Sequence, residues 1–342
     1  MNNRVKNIIY TIVLLAAMFF VWKYRQGKQE RLVYLNGKTM GTTYNIKYFD
    51  SEARNFKAEI DSLLEVFNQS LSTYIKDSEI SRFNQGASLE FELPYFYPVL
   101  KESKYVYELT NGAFDPTVMP LVNAWGFGPD KDIAPDSATI DSLRKVVGFN
   151  KLRFDEKEVS KKDPRVQLDF SAVAKGYGID VVADFLTAQQ LSNYYVEIGG
   201  EVACKGKNLA NGQYWKVGIV DPGSDILNPY FKATVLLQDR AMATSANNFN
   251  YKVVDGVRYA HTLSPQTGYP IKHPLLSATV FADRCITADA LATSFMAMGH
   301  EKAIKILESN EQISAFLIYS GEDGGIRTYT TNDILGLVQE VN

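Results

Sequence analysis

Residues 287–293 read Thr-Ala-Asp-Ala-Leu-Ala-Thr, inside a stretch predicted to be a helix that stops at Gly299. Asp289 and Thr293 are four residues apart, so a helix sets a carboxylate and a hydroxyl side by side on one face. Such oxygen donors suit magnesium, which takes one or two carboxylates and completes its shell with water, backbone carbonyl and substrate phosphate. Taken alone, such a pair is more often a solvated helix face or an N-terminal cap.

A second group is LDFSAVAKGY (168–177), where a strand at 166–169 is predicted to run into a helix with Asp169 and Lys175 at the junction. A helix start offers free N–H groups and the positive end of its dipole, and a lysine beside it favours an anionic phosphate. The alternative is an aspartate that caps the helix and a lysine in water. The third group is YAHTLSPQTGYP (259–270), with His261 at the end of a hairpin strand. A general base needs a pKa near neutrality, and the chain has only three histidines, His261, His273 and His300. A structural histidine is the competing reading. Segments 39–44 (TMGTTY), 72–84 (STYIKDSEISRFN) and 112–117 (GAFDPT) mix aromatic and polar residues in predicted loops that could stack on and hydrogen-bond a flat heterocycle.

These segments need a scaffold. Phe56, Ile60, Leu63, Leu64 and Phe67 follow helical spacing. Another helix is predicted over 94–110, stopped by Asn111-Gly112, and a third over 137–147, capped by Asp136 and closed by Gly148. Short β-branched or aromatic runs at 166–169, 194–198, 215–220, 231–237 and 277–282 predict strands, and Asp255-Gly256 predicts a hairpin turn between YKVV and VRYA. Hairpins with helices inserted between some of them indicate an α+β protein with a mixed sheet, not a regular βαβ series. No GxGxxG follows a strand and no GxxxxGK[ST] occurs, which argues against the usual dinucleotide and P-loop folds.

With 342 residues, 46% of them hydrophobic, the chain can bury a large core, and no repeat or long linker follows Tyr34. One compact catalytic unit over 33–342 is expected. Residues 1–31 carry six basic residues against one acidic, or +5, which leaves −8 for the remainder. An acidic body argues against nucleic acid as a partner. Cys204 and Cys285 fit no metal spacing and are expected to be small buried residues; a disulfide between them is the alternative.

Residues 8–22 carry no charge and follow Arg4 and Lys6, the layout of a signal segment or short membrane anchor. A helix of that length covers roughly 22 Å of a hydrocarbon layer near 30 Å, so spanning requires flanking lysines to snorkel. No A-x-A site follows, and an uncleaved signal anchor over 1–32 is expected. Two basic residues precede the apolar run and four follow it, which by charge counting alone would keep the body in the cytoplasm. The export layout at the very start favours a single-pass inner-membrane protein with its body in the periplasm.

In order and wording, eight segments resemble the ApbE family of FAD:protein FMN transferases: MGTTY (40–44), STYIKDSEISRFN (72–84), GAFDPTV (112–118), LDFSAVAKGYGID (168–180), VEIGGEV (196–202), ATS (243–245), RYAHTLSPQTGYPI (258–271) and ADALAT (288–293). The resemblance implies an ApbE-like α+β fold with largely antiparallel sheets and packed helices, preceded here by the membrane-anchor helix. It implies magnesium-dependent transfer of the FMN half of FAD to a threonine or serine hydroxyl of an acceptor flavoprotein, with release of AMP. The acceptor expected is a subunit of a membrane redox complex. Asp289, Thr293 and the backbone carbonyl of Ala172 match the metal ligands, and Met40, Tyr74, Ala113, Phe114, Asp115, Asp169 and Lys175 match FAD contacts. His261 matches the base. A magnesium-dependent FAD pyrophosphatase and a non-catalytic FAD-binding protein are the alternatives. Glu201 stands where the family commonly has Asp after Gly-Gly, a change that bears on metal number or loop geometry.

Overall fold

The computed structural model describes every residue except 1–2, 27–29, 129–134, 225–228, 247–250, 255–256, 261 and 342. Its centre is an eight-stranded sheet in the spatial order Arg31–Thr39, Thr42–Asp50, Tyr194–Ile198, Glu201–Lys205, Ala241–Ala246, Leu275–Ala282, Ser314–Ser320 and Ile326–Thr330. Every pairing in that sheet is antiparallel. The expected α+β architecture is therefore present, but the central sheet is wholly antiparallel among the described strands and not mixed as expected, because its successive strands are joined by tight hairpins or return antiparallel.

Alternation along the strands explains how both faces are buried. Ala243, Ala278, Val280, Ala315 and Leu317 turn to one face and pack with the helices Phe96–Leu109 and Cys285–Met298. Their neighbours Met242, Phe281, Phe316 and Ile318 turn to the other and meet Trp215, Val217, Ile219 and Val235 of a three-stranded sheet built from Trp215–Val220, Phe231–Leu237 and Val338–Glu340. A strand covered on both sides buries nearly every residue, and in Leu275–Ala282 all but Leu276 are buried. On the helical side, Tyr44, Ile46, Val196 and Ile198 pack with Ile60, Leu64, Ile179 and Leu186 of the helices Lys57–Leu71 and Ala174–Ala188.

The helix with the predicted Phe56–Phe67 spacing runs over Lys57–Leu71, with Ile60, Leu64 and Phe67 buried. Asp136 caps its helix through a bond from the Thr139 amide at 2.7 Å, but that helix ends at Arg144, short of the expected 147; the Val146 and Val147 amides fold back onto Leu143 O as turns. The expected strand at 166–169 is absent. Gln167 makes one isolated parallel bridge to Val118, and Leu168 is held by the Asn84 side chain, which accepts from its amide at 2.7 Å and donates to its carbonyl at 2.9 Å. The hairpin Tyr251–Val254 with Val257–Ala260 pairs as expected around 255–256, which lie outside the described residues. Both cysteines are free and buried.

The N-terminal segment forms the helix Asn3–Gln26, with Ile8, Leu14 and Phe19 each more than half exposed (59%, 61% and 55%). Among the described residues no helix is long and apolar enough to cross a membrane.

Candidate functional site

Two hairpin tips meet at one end of the sheet. The turn between the first two strands is Met40-Gly41, both with positive φ (49° and 73°), the two-residue geometry that suits the twist of an antiparallel ribbon. The turn between Tyr194–Ile198 and Glu201–Lys205 is Gly199-Gly200. Because Tyr44 pairs with Ile198, the two tips lie side by side, and the Gly199 amide donates to Thr43 O at 3.0 Å. Over them sit the first turn of the helix Ala174–Ala188, whose start has no side-chain cap, and the helix Cys285–Met298. These two helices touch at Gly176, where a Cβ would lie 2.3 Å from Cys285 O.

Two cavities open at this end, of about 600 Å3 and about 580 Å3. Ala113, Phe114, Asp115, Ala172, Asp289 and Thr293 line the first, Met40 and Tyr74 the second, and Asp169, Ser171 and Lys175 line both. Every predicted site residue except His261, which lies outside the described residues, therefore faces one divided space. The other two histidines are engaged elsewhere. His273 Nε2 bonds Met296 O at 2.6 Å, and the His300 ring stacks on Tyr319 with centroids 4.3 Å apart.

At the waist, Lys175 forms an ion pair with Glu201 and also faces Asp289, whose Oδ2 accepts from the Gly176 amide at 2.9 Å. Burial pushes Glu201 up to about 7 against the pull of Lys175. It raises Asp289 as well, with Lys175 and the Gly176 amide pulling the other way. Lys175 itself is held above the ordinary lysine range: burial opposes its charge, and the two carboxylates outweigh that. One ammonium thus faces two buried carboxylates, and Glu201 Oε2 is buried with no partner among the described residues. A further cation would complete the balance.

The donors fit a hard divalent ion: the Asp289 carboxylate, the Thr293 hydroxyl, which lies 3.1 Å from Ser245 Oγ, and the carbonyl of Ala172. No group of three or more His, Cys, Asp or Glu that could hold a metal exists among the described residues.

Not every predicted contact offers a free functional group. Both carboxylate oxygens of Asp115 are engaged within the protein, Oδ1 accepting from the Thr117 amide and hydroxyl (2.8 and 2.6 Å) and Oδ2 from the Phe149 amide (3.1 Å) of a distant turn. Asp115 shapes the 113–117 wall, and Phe114 is 4% exposed with its ring in the core. Tyr74, 74% exposed, leaves its ring available to a ligand. Asp169 accepts from the Ser171 amide at 2.8 Å, and burial raises its pKa. Sequence reasoning missed the pairing of Glu201 with Lys175 and the close approach at Gly176. The acid directly after Gly-Gly at a hairpin tip was the available signal for the first.

An α+β sandwich whose sheet end carries a divided cavity with a lysine and two buried acids at its waist defines a site for a two-part anionic ligand. The profile of the ApbE family matches residues 40–317, and the chain belongs to that family. It is 42% identical to the FAD:protein FMN transferase of Vibrio cholerae over 308 residues, 87% of this chain and 90% of that one. It is 38% identical to the enzyme of the same name from Haemophilus influenzae, over 87% and 89%. The solved flavin transferase ApbE from Vibrio cholerae superposes with a TM-score of 0.80 at 40% identity, covering 90% of this chain and all of that one. The apo flavinyl transferase ApbE from Pseudomonas stutzeri gives 0.79 at 33% identity, over 90% and 97%.

Proposed function

We propose that this chain, an FAD:protein FMN transferase by its family and relatives, moves the FMN half of FAD to a threonine or serine hydroxyl of an acceptor flavoprotein and releases AMP. The observation that carries the reading is the waist shared by the two cavities: a dinucleotide has two bulky ends joined by a pyrophosphate, and here two chambers join at Lys175. Lys175 and the uncapped start of its helix neutralise pyrophosphate oxygens. Tyr74 and Met40 hold a flat ring in one chamber. Asp289, Thr293 and the Ala172 carbonyl would hold magnesium, which when bound withdraws charge from the phosphate under attack.

The acceptor oxygen forms a bond to the FMN phosphorus, the bond from that phosphorus to the bridging oxygen breaks, and AMP leaves with the electron pair. The hydroxyl proton passes to a base; resemblance alone assigns it to His261. Positioning and charge neutralisation dominate such phosphoryl transfers, so exclusion of water from the waist decides between flavinylation and FAD hydrolysis.

Although its apolar run is short for a span, the helix Asn3–Gln26 serves in this reading as a signal anchor in the inner membrane, with the body in the periplasm and a membrane redox subunit as acceptor. Its exposed apolar side chains support this reading, and protease protection of the full chain in sealed spheroplasts tests it.

The full chain in detergent, incubated with FAD, magnesium and a candidate acceptor domain and read by intact mass, tests the activity. A covalent gain of FMN, lost on chelation and in Asp289→Ala, is expected. Free FMN and AMP beside an unmodified acceptor would replace the transferase with a pyrophosphatase, and unchanged FAD would leave binding alone.

A further inference from the structure

A third cavity, of about 530 Å3, adjoins the catalytic one and shares Ala113 and Ala297 with it. The segment 262–270 is the partition. Thr262, Leu263 and Pro265 face the catalytic cavity, while Ser264, Gln266 and Thr267 face the other. The partition is pinned on several sides: the Gly268 amide donates to Ser264 O at 2.8 Å, Gln266 Nε2 to Asn111 O at 2.8 Å, and Trp125 Nε1 to Gly268 O at 2.9 Å.

Lys272, Lys302 and Lys305 line the third cavity, and no acidic residue does. Lys302 and Lys305 are three apart on the helix His300–Glu308 and share a face. All three lysines are exposed, and none of their ammonium groups has a hydrogen bond or ion pair among the described residues. On a chain whose formal net charge is −3, this is a local reversal of sign. Three unpaired cations around a concave wall concentrate anions there.

We propose that this cavity receives an acidic segment of the acceptor protein, next to the threonine or serine that enters the catalytic cavity. The proposal rests on the transferase reading. The two cavities are separated by a wall one chain thick, so a polypeptide crossing the partition presents a carboxylate to one and a hydroxyl to the other. Exposed ammonium groups at an open mouth suit a partner that arrives and leaves each turnover, because charges of this kind act mainly on encounter rate and register.

Fluorescence anisotropy of the full chain with two labelled synthetic peptides tests it, each carrying one threonine beside either three aspartates or three asparagines. With each exposed ion pair contributing modestly, the aspartate peptide should bind about tenfold tighter. The preference should vanish in the double variant Lys302→Glu/Lys305→Glu, whose FAD affinity and melting temperature stay those of the parent chain. Equal binding of the two peptides overturns the proposal, and so does a preference that survives in the variant. Lysine-dependent stabilisation by inorganic phosphate together with equal peptide binding would make the cavity a small-anion site, and overturns it too. Peptide binding needs no turnover. A chain that hydrolyses FAD without transferring FMN would therefore refute the transferase reading separately from the docking contrast.

Discussion

Replacing Gly176 by Ala tests whether the contact between the two central helices sets the geometry of the waist. A methyl group there would lie 2.3 Å from Cys285 O and 2.7 Å from Asp289 Cβ. Carbon–oxygen contacts settle near 3.3–3.6 Å, so the helices must part by about 1 Å. On an isolated helix the same substitution would stabilise by about 1 kcal/mol. Overpacking costs roughly 1–3 kcal/mol, towards the upper end here because the clash is with backbone, so the sign reverses. The displacement also draws Asp289 away from the Gly176 amide that holds it at 2.9 Å. A misplacement of about 1 Å at a reacting centre costs on the order of 100-fold in rate. Urea denaturation and single-turnover FMN transfer at saturating FAD and magnesium, at a temperature where both proteins are folded, measure the two effects. A Gly176→Ala protein as stable as its parent and fully active would refute the close-contact argument. Lost stability with an intact rate would sever the contact from the chemistry. Gly178→Ala is the control, since its Cβ would meet the Met40 Cε at 2.4 Å, the end of a side chain that can swing aside. It should keep the fold and raise the KM for FAD with kcat largely unchanged.

Lys175→Met strands Glu201, whose side chain is only 4% exposed, and breaking a buried pair from one side costs about 3 kcal/mol or more. Lys175→Met/Glu201→Gln should recover part of that stability in urea titrations, since Asp289 is left without its cation, and none of the transfer activity; recovery of both in full would remove Lys175 from the site. Asp180 is pushed up to about 6 by burial, while Arg284 and the amides of Ile286 and Cys285, at 2.9 Å each, pull it down. The folded chain thus holds the Asp180 proton more tightly than the unfolded chain, and the contribution to stability falls as pH rises from about 4 to 6, by on the order of 3 kcal/mol. In Asp180→Asn that slope should be missing, and parallel stability curves for the two proteins over this window would contradict the assignment. Asp136→Ala removes one helix cap and should cost about 1 kcal/mol in thermal unfolding without touching FAD affinity.

What could be read from the chain follows how locally each feature is determined. The apolar face of Lys57–Leu71 and the Asp136 cap depend on residues within a turn or two of one another, and both are in the structure. The segment 166–169 carries the alternation of a strand, yet its ladder partner is replaced by the side chain of Asn84, 84 residues before Leu168 in the chain. Local periodicity does not register such a substitute. The same distinction separates the two functional regions. Asp289 and Thr293 lie on one helical face, and Asp169 and Lys175 on one junction, so each pair was visible as a spacing. Glu201 reaches Lys175 from a hairpin tip 26 residues away, and Lys272 joins Lys302 and Lys305 from a different element. Only the antiparallel order of the sheet, which sets Gly199-Gly200 beside Met40-Gly41, and the pinned partition at 262–270 bring these charges to the places where an anion would meet them.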